Sequence, residues 1–193
     1  ASYRMVDYLQ ELFLNACQSG HISKSKETVD AGMRKADDCI KKRLGTIRDV
    51  KRFANQFLYD YPAIQNEVEF GDYLLLELMK FSHKEEYDKL RDQYYIETAH
   101  HDFMEVDVYC LKDNVPAANS DDIMQKLFPK KEQVLSVYAQ RDKRIFNISF
   151  FDMYFFNNEY NHLLQNDFNA LYDLSLKEKC EKIQLWMKGN DLN

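Results

Sequence analysis

An all-α helical bundle is the fold class this sequence predicts, on three observations. Apolar residues recur at helical rather than alternating spacing through most of the chain. Hydrophobic residues make up 45% and aromatics 14% of the 193 residues, enough to pack a core without disulfides or a structural metal. Five glycines and three prolines are too few for the many turns of a sandwich or barrel.

Met5, Leu9, Leu12, Phe13 and Ala16 place the first amphipathic helix over residues 3–17, stopped by Gln18, Ser19 and Gly20. Ser23 or Ser25 caps a second helix that runs to Leu44, with Val29, Met33, Ala36, Ile40 and Leu44 inward and a charged outer face; Gly45 ends it. Thr46 and Asp49 read as a capping-box variant, opening a third helix with Ile47, Val50, Phe53, Ala54, Phe57, Leu58 and Tyr61 on its apolar face. Proline disfavours helix at the preceding residue, so Tyr61-Pro62 is expected to break that helix.

Tyr73 to Phe81 is apolar almost all round and reads as the buried helix at the centre of the second half. A shorter helix is expected around Glu85 to Tyr94. Met104, Val106, Val108 and Cys110 alternate with Glu105, Asp107 and Tyr109, which allows at most one minor strand element. Asp113-Asn114, Pro116 and Asn119 mark a loop over Lys112 to Ser120, with Ser120 placed to cap a helix from Asp121 to Phe128. Lys131 to Ala139 is a further helix, the aromatic stretch Arg144 to Phe156 is expected to pack across several helices, and Asn166 to Gly189 closes the chain as one or two helices. The organisation expected is a lid-like three-helix bundle over 1–62 and a helical extension over 63–193 packed on it, or one continuous domain.

Lys+Arg 26 against Asp+Glu 32 leaves a formal net charge of -6, which repels phosphate backbones on average and makes nucleic acid an unlikely partner. Cys17, Cys39, Cys110 and Cys180 lie far apart with no CxxC spacing, which excludes a zinc knuckle or redox pair and fits reduced, buried thiols in a cytosolic chain. No run approaches the roughly 18 uncharged apolar residues of a transmembrane segment. GxxxxGKS/T, GxGxxG, a nucleophile elbow and HExxH are all absent, so no self-sufficient nucleotidase or peptidase site is written here.

His100-His101-Asp102 is the one cluster of metal-competent residues, and it is similar to the His-Asp pair of the HD phosphohydrolases. A metal needs converging rather than adjacent ligands, so His83, Asp121 or Asp142 would have to meet that pair; no metal site is assigned.

Charge is distributed unevenly. Residues 24–52 hold ten basic side chains against five acids, a local excess of five positive charges, so the remainder of the chain carries -11. Within that segment Arg48, Lys51 and Arg52 stand at i, i+3 and i+4 and share a helical face, where phosphate is the natural ligand.

Thr46-Ile47-Arg48-Asp49-Val50-Lys51-Arg52-Phe53-Ala54-Asn55-Gln56-Phe57 resembles the PRD-hydrophobic-KRF segment that follows the nucleotide-binding core in the KAP family of P-loop NTPases. Downstream, Phe70-x-Asp72-Tyr73-Leu74-Leu75-Leu76-Glu77-Leu78 is similar to the helix after that motif, Phe151-Asp152-Met153-Tyr154-Phe155 to an F-x-x-YF segment, and Asn166 to Gly189 to the terminal helices. The likeness runs from about residue 40 to the C-terminus. Ile47 stands where the family usually has proline, and the Walker A and Walker B elements would precede Ala1.

The resemblance implies that this chain is the C-terminal helical lid or regulatory domain of a larger ATPase, coupling nucleotide state to a partner. ATP and Mg would then belong to the P-loop core that precedes it, and the chain alone would not be an enzyme. In related ATPases an arginine at this place reaches the terminal phosphates, which makes Arg48 the candidate sensor with Lys51 and Arg52 as supporting contacts; a guanidinium fork suits that task because it holds phosphate oxygens bidentately and stays charged. Family members are often membrane-associated and bacterial ones include phage-exclusion proteins, so the resemblance implies a cytoplasmic chain or one peripheral at the inner membrane. Two other readings stay open: a stand-alone helical protein-interaction module, and a metal-dependent phosphohydrolase using His101 and Asp102.

Overall fold

The architecture comes from a computed structural model that describes residues 2–101, 106–115, 122–136, 143–155 and 174–190. The described residues are predominantly helical, with one two-stranded antiparallel sheet among them. A compact unit runs from Ala1 to Phe155, across the 62/63 joint, and Phe156–Asn193 is a second unit.

The first unit begins with α1 (Ser2–Gln18), α2 (Lys26–Arg43), α3 (Ile47–Ile64) and α4 (Phe70–Ser82). Ser25 caps α2 through the Thr28 amide at 3.3 Å, settling the choice between the two serines, and Leu44 closes it by donating its N–H to Ile40 O. α2 packs on α1 and most extensively on α4. That crossing is close because Gly32 and Gly71 face each other: a Cβ on Gly71 would lie 3.1 Å from the Gly32 Cα. The α1, α3 and α4 faces meet in an aromatic core in which Phe13, Phe57, Phe70 and Tyr61 are fully buried, with Phe57 stacked on Tyr61 at 4.9 Å and Phe70 edge-on to Phe13 at 5.7 Å. The buried helix expected over Tyr73 to Phe81 is α4, whose residues are all buried from Phe70 to Met79, while Lys80 and Phe81 are half-buried.

Pro62 does not break α3, contrary to the sequence expectation. The helix carries it in its last turn and ends at Ile64. Two residues beyond the proline keep few hydrogen bonds at risk, Ile64 is buried, and the Leu58 carbonyl that Pro62 cannot serve accepts a hydrogen bond from His21 Nε2–H at 2.7 Å.

After α5 (Lys84–Arg91) the chain forms a hairpin of β1 (Ile96–His101) and β2 (Val106–Leu111), in register from Ile96 opposite Leu111 to His101 opposite Val106. The expected strand is therefore one arm of a pair, and its proposed start at Met104 lies outside the described residues. β1 is an addition to the sequence expectation: Thr98 and His100 are exposed, but the opposite face offers only Glu97 and Ala99, so Ile96-Glu97-Thr98-Ala99-His100-His101 shows no apolar alternation. α6 (Asp122–Leu127) follows, with its proposed Ser120 cap outside the described residues. The expected helix at 131–139 is a 3-10 turn over Lys131–Ser136, and residues 137–139 lie outside the description.

α7 (Ile148–Tyr154) starts at an Asn147 cap and carries the aromatic stretch across several elements, as expected. Phe151 meets Tyr109 of β2 at 4.7 Å and Phe128 at 6.4 Å, and Phe155 meets Tyr87 of α5 at 5.4 Å. In the second unit, α8 (Leu176–Asn190) opens with a reciprocal pair in which Ser175 N–H donates to Glu178 Oε2 at 2.9 Å and Glu178 N–H to Ser175 Oγ at 3.5 Å. No described helix is long and apolar enough to cross a membrane.

Candidate functional site

The start of α3 is fixed by a complete capping box. Asp49 N–H donates to Thr46 Oγ1 at 3.1 Å, while Thr46 gives its N–H and its hydroxyl to Asp49 Oδ2 at 3.0 and 2.7 Å. This places Ile47 first and Arg48 second in the helix, with the buried stripe Val50, Phe53, Ala54 and Phe57 turned to the core. Arg48, Lys51 and Arg52 are consequently brought onto the opposite, exposed face.

Arg48 and Lys51 form no side-chain ion pair or hydrogen bond with any described residue. Asp49 is committed to the capping box and Asp72 to a buried cluster. Arg52 leans over the Phe81 ring with its guanidinium carbon 5.8 Å from the centroid, an arrangement that leaves its fork of donors available. Cations in the first turns of a helix are disfavoured by the macrodipole, so stability alone would favour acids here.

At the start of α4 lies a polar cluster that sequence reasoning does not assemble. Asp72, in the first turn of α4, is fully buried. Its carboxylate accepts from Lys35 of α2, from Arg144 Nε at 2.6 Å and from the Ile145 amide at 3.0 Å. Burial works against the charge on Arg144, yet the adjacent Asp72 carboxylate carries the net shift upward and holds the guanidinium ionised. Glu69 caps α4 through the Gly71 and Asp72 amides at 2.9 and 2.7 Å. Tyr154 joins α7 to the same place, its hydroxyl donating to Lys143 O at 2.6 Å and accepting from Glu69 N–H at 2.9 Å. Lys35 of α2 and Arg144, Ile145 and Tyr154 of the 143–155 segment thus fix the α4 N-terminus. The only sequence signal was an aspartate opening an otherwise apolar helix.

Along α4 a second acid, Glu77, is buried and pairs with Lys80 Nζ at 3.1 Å, and burial raises its carboxyl above the usual range despite that lysine. Lys80 also approaches Asp60 of α3 at 3.7 Å.

The histidine motif does not assemble a metal centre among the described residues. His100 Nδ1 hydrogen-bonds Asp107 Oδ1 at 2.8 Å across the hairpin, no group of three metal-competent side chains is present there, and Asp102, Asp121 and Asp142 lie outside the description. Between α1 and α2 lies a groove of about 380 Å³ whose polar lining is Asp7, Gln10, Asp30, Arg34 and Asp37. No family model, curated protein or solved structure matches the chain.

Proposed function

We propose that this chain is the C-terminal helical lid or regulatory domain of a KAP-type P-loop ATPase and couples nucleotide state to a partner. The observation that carries the reading is the α3 start: a capped helix presenting Arg48, Lys51 and Arg52 to solvent, with Arg48 and Lys51 unengaged by any described carboxylate. A rigid first turn lets Arg48 hold its donors ready for a phosphate oxygen, with little further ordering when the anion arrives. Lys51 and Arg52, one turn on, add charge along the same approach. ATP and Mg would be held by the P-loop core, and the lid would report on the phosphates through Arg48.

The aromatic core and the Asp72 cluster suit transmission. They tie α3 and α4 to the 143–155 segment, so a tilt of α3 moves as a packed body rather than as a single helix. A second reading, a stand-alone interaction module, is favoured by the exposure of Tyr59 at 77% and Ile47 at 47% on the same helix. The coding sequence immediately upstream separates the two. A GxxxxGKS/T element there, with ATP turnover by the longer protein that disappears when its P-loop lysine is replaced, supports the lid; a natural start codon at this boundary and no turnover support the module.

A further inference from the structure

The exposed face of α3 extends beyond the three cations. Taking about 100° per residue, Ile47, Lys51, Asn55, Arg48, Tyr59 and Arg52 fall within a sector of roughly 140°. All six are exposed. Both carboxylates of the helix, Asp49 and Asp60, lie outside that sector, the first in the capping box and the second beside Lys80. The half-buried Leu58 and Pro62 also fall in that sector; its exposed side chains are cationic or polar except for Ile47 and Tyr59. Those two are notable because, among the described residues of the first unit, the large hydrophobics left exposed are Ile47, Tyr59 and Tyr94.

A free phosphate or a nucleotide has no use for Tyr59, which stands about 17 Å along the helix from Arg48 at 1.5 Å per residue. A protein surface does. We infer that the α3 face docks an acidic amphipathic helix of a partner protein, its carboxylates meeting Arg48, Lys51 and Arg52 and its apolar residues meeting Ile47 and Tyr59. Charge complementarity selects the occupant. A nucleic acid would have to lie against a molecule whose remaining residues carry -11, whereas a short acidic helix meets only the local positive excess. The spacing suits two helices side by side, since the exposed face spans about three turns. Tyrosine and arginine are also the side chains that most often dominate such interfaces. This inference goes beyond the nucleotide reading and does not rest on it.

The test titrates the whole chain against a labelled acidic amphipathic peptide about four turns long, with glutamates and leucines at helical spacing, and reads fluorescence anisotropy. Its glutamine counterpart and a single-stranded oligonucleotide of equal charge run alongside. The expected result is binding at least about tenfold tighter for the glutamate peptide than for either control, weakened about tenfold by Lys51→Glu and several-fold by Tyr59→Ala, with melting temperatures unchanged because both side chains are exposed. Absence of binding, equal binding of the glutamine peptide, preference for the oligonucleotide, or indifference to Tyr59→Ala would each overturn it. Failure here with ATP turnover of the longer protein intact leaves the nucleotide reading standing, and the converse leaves the docking face standing.

Discussion

His21 donates its Nε2–H to the carbonyl of Leu58 at 2.7 Å, the carbonyl four residues before Pro62 that a proline nitrogen cannot serve. One side chain from the α1–α2 joint thus completes a helix 37 residues away. The bond lies at an exposed histidine, so His21→Ala should cost about 0.5–1 kcal/mol in urea unfolding. Pro62→Ala restores a backbone donor to Leu58, and in that background the histidine substitution should cost nothing. Equal losses from His21→Ala in both backgrounds would show that the carbonyl and the proline are not coupled.

Gly32→Ala tests the α2–α4 crossing. Alanine is the better helix former by about 1 kcal/mol, so on propensity the change should stabilise. The added methyl meets the Phe70 ring and sits 3.2 Å from the Gly71 Cα, in a place where neither neighbour can retreat without shifting the aromatic core. Overpacking of this kind costs about 1–3 kcal/mol, which outweighs the propensity gain. Thermal unfolding should therefore show a lower Tm, and a rise would mean that the helices are not in contact there.

Asp72→Ala should be the most damaging single change outside the apolar core. It removes the fully buried carboxylate that three donors share and leaves Lys35 and Arg144 partly buried with only the more distant Glu69, 3.8 Å from Lys35, as counter-charge, a loss of about 3–5 kcal/mol. Asp72→Asn keeps an acceptor for the Ile145 amide and should lose less. Chemical denaturation of the two variants gives the comparison; a near-neutral Asp72→Ala would remove the cluster as an anchor.

Two acids should pull stability in opposite directions as pH changes. Asp122 of α6 accepts from Lys42 at 2.8 Å and Arg43 at 2.7 Å; its burial resists ionisation, but those two cations hold its carboxyl well below the usual range. Its contribution is full above its ordinary value of 3.8 and is lost as pH falls through the depressed one, so Asp122→Asn should flatten the acid limb of the stability curve. Glu77 is raised above 4.5 by burial, with Lys80 opposing. Its folded form binds the proton more tightly, so its contribution is present below 4.5 and lost as pH rises through the raised value. Glu77→Gln should remove that loss. Unfolding curves across the acidic range that are identical for wild type and both variants would contradict both assignments.

The elements that were legible in the sequence are those whose signals are local. Ser25, Thr46 and Asp49 mark helix starts within four residues, and the stripe Val50, Phe53, Phe57 and Tyr61 repeats at the period of the helix it builds. β1 was hidden because Thr98 and His100 face solvent and Ala99 adds little apolar contrast, leaving no alternation to read. Pro62 misled because the donor that replaces its missing N–H comes from outside the helix. The Asp72 cluster was beyond reach for the same reason on a larger scale: Arg144 is 72 residues away, and nothing in its own neighbourhood announces a buried partner. The three cations of α3 were found from spacing alone, whereas the continuation of that face to Tyr59 appeared only once exposure was known.

The most direct test of the account is ATP turnover by the longer protein that the proposal calls for, with a P-loop core ahead of this chain, measured for wild type, Arg48→Ala and Arg48→Lys together with their melting temperatures. Losing one charge-assisted contact to a phosphate should slow turnover by about tenfold to a hundredfold in Arg48→Ala, with partial recovery in Arg48→Lys, because a point charge lacks the planar fork. Melting temperatures should stay together, since Arg48 is exposed and pairs with no described carboxylate. Unchanged turnover in Arg48→Ala with nucleotide still bound would contradict the account and remove Arg48 from the site.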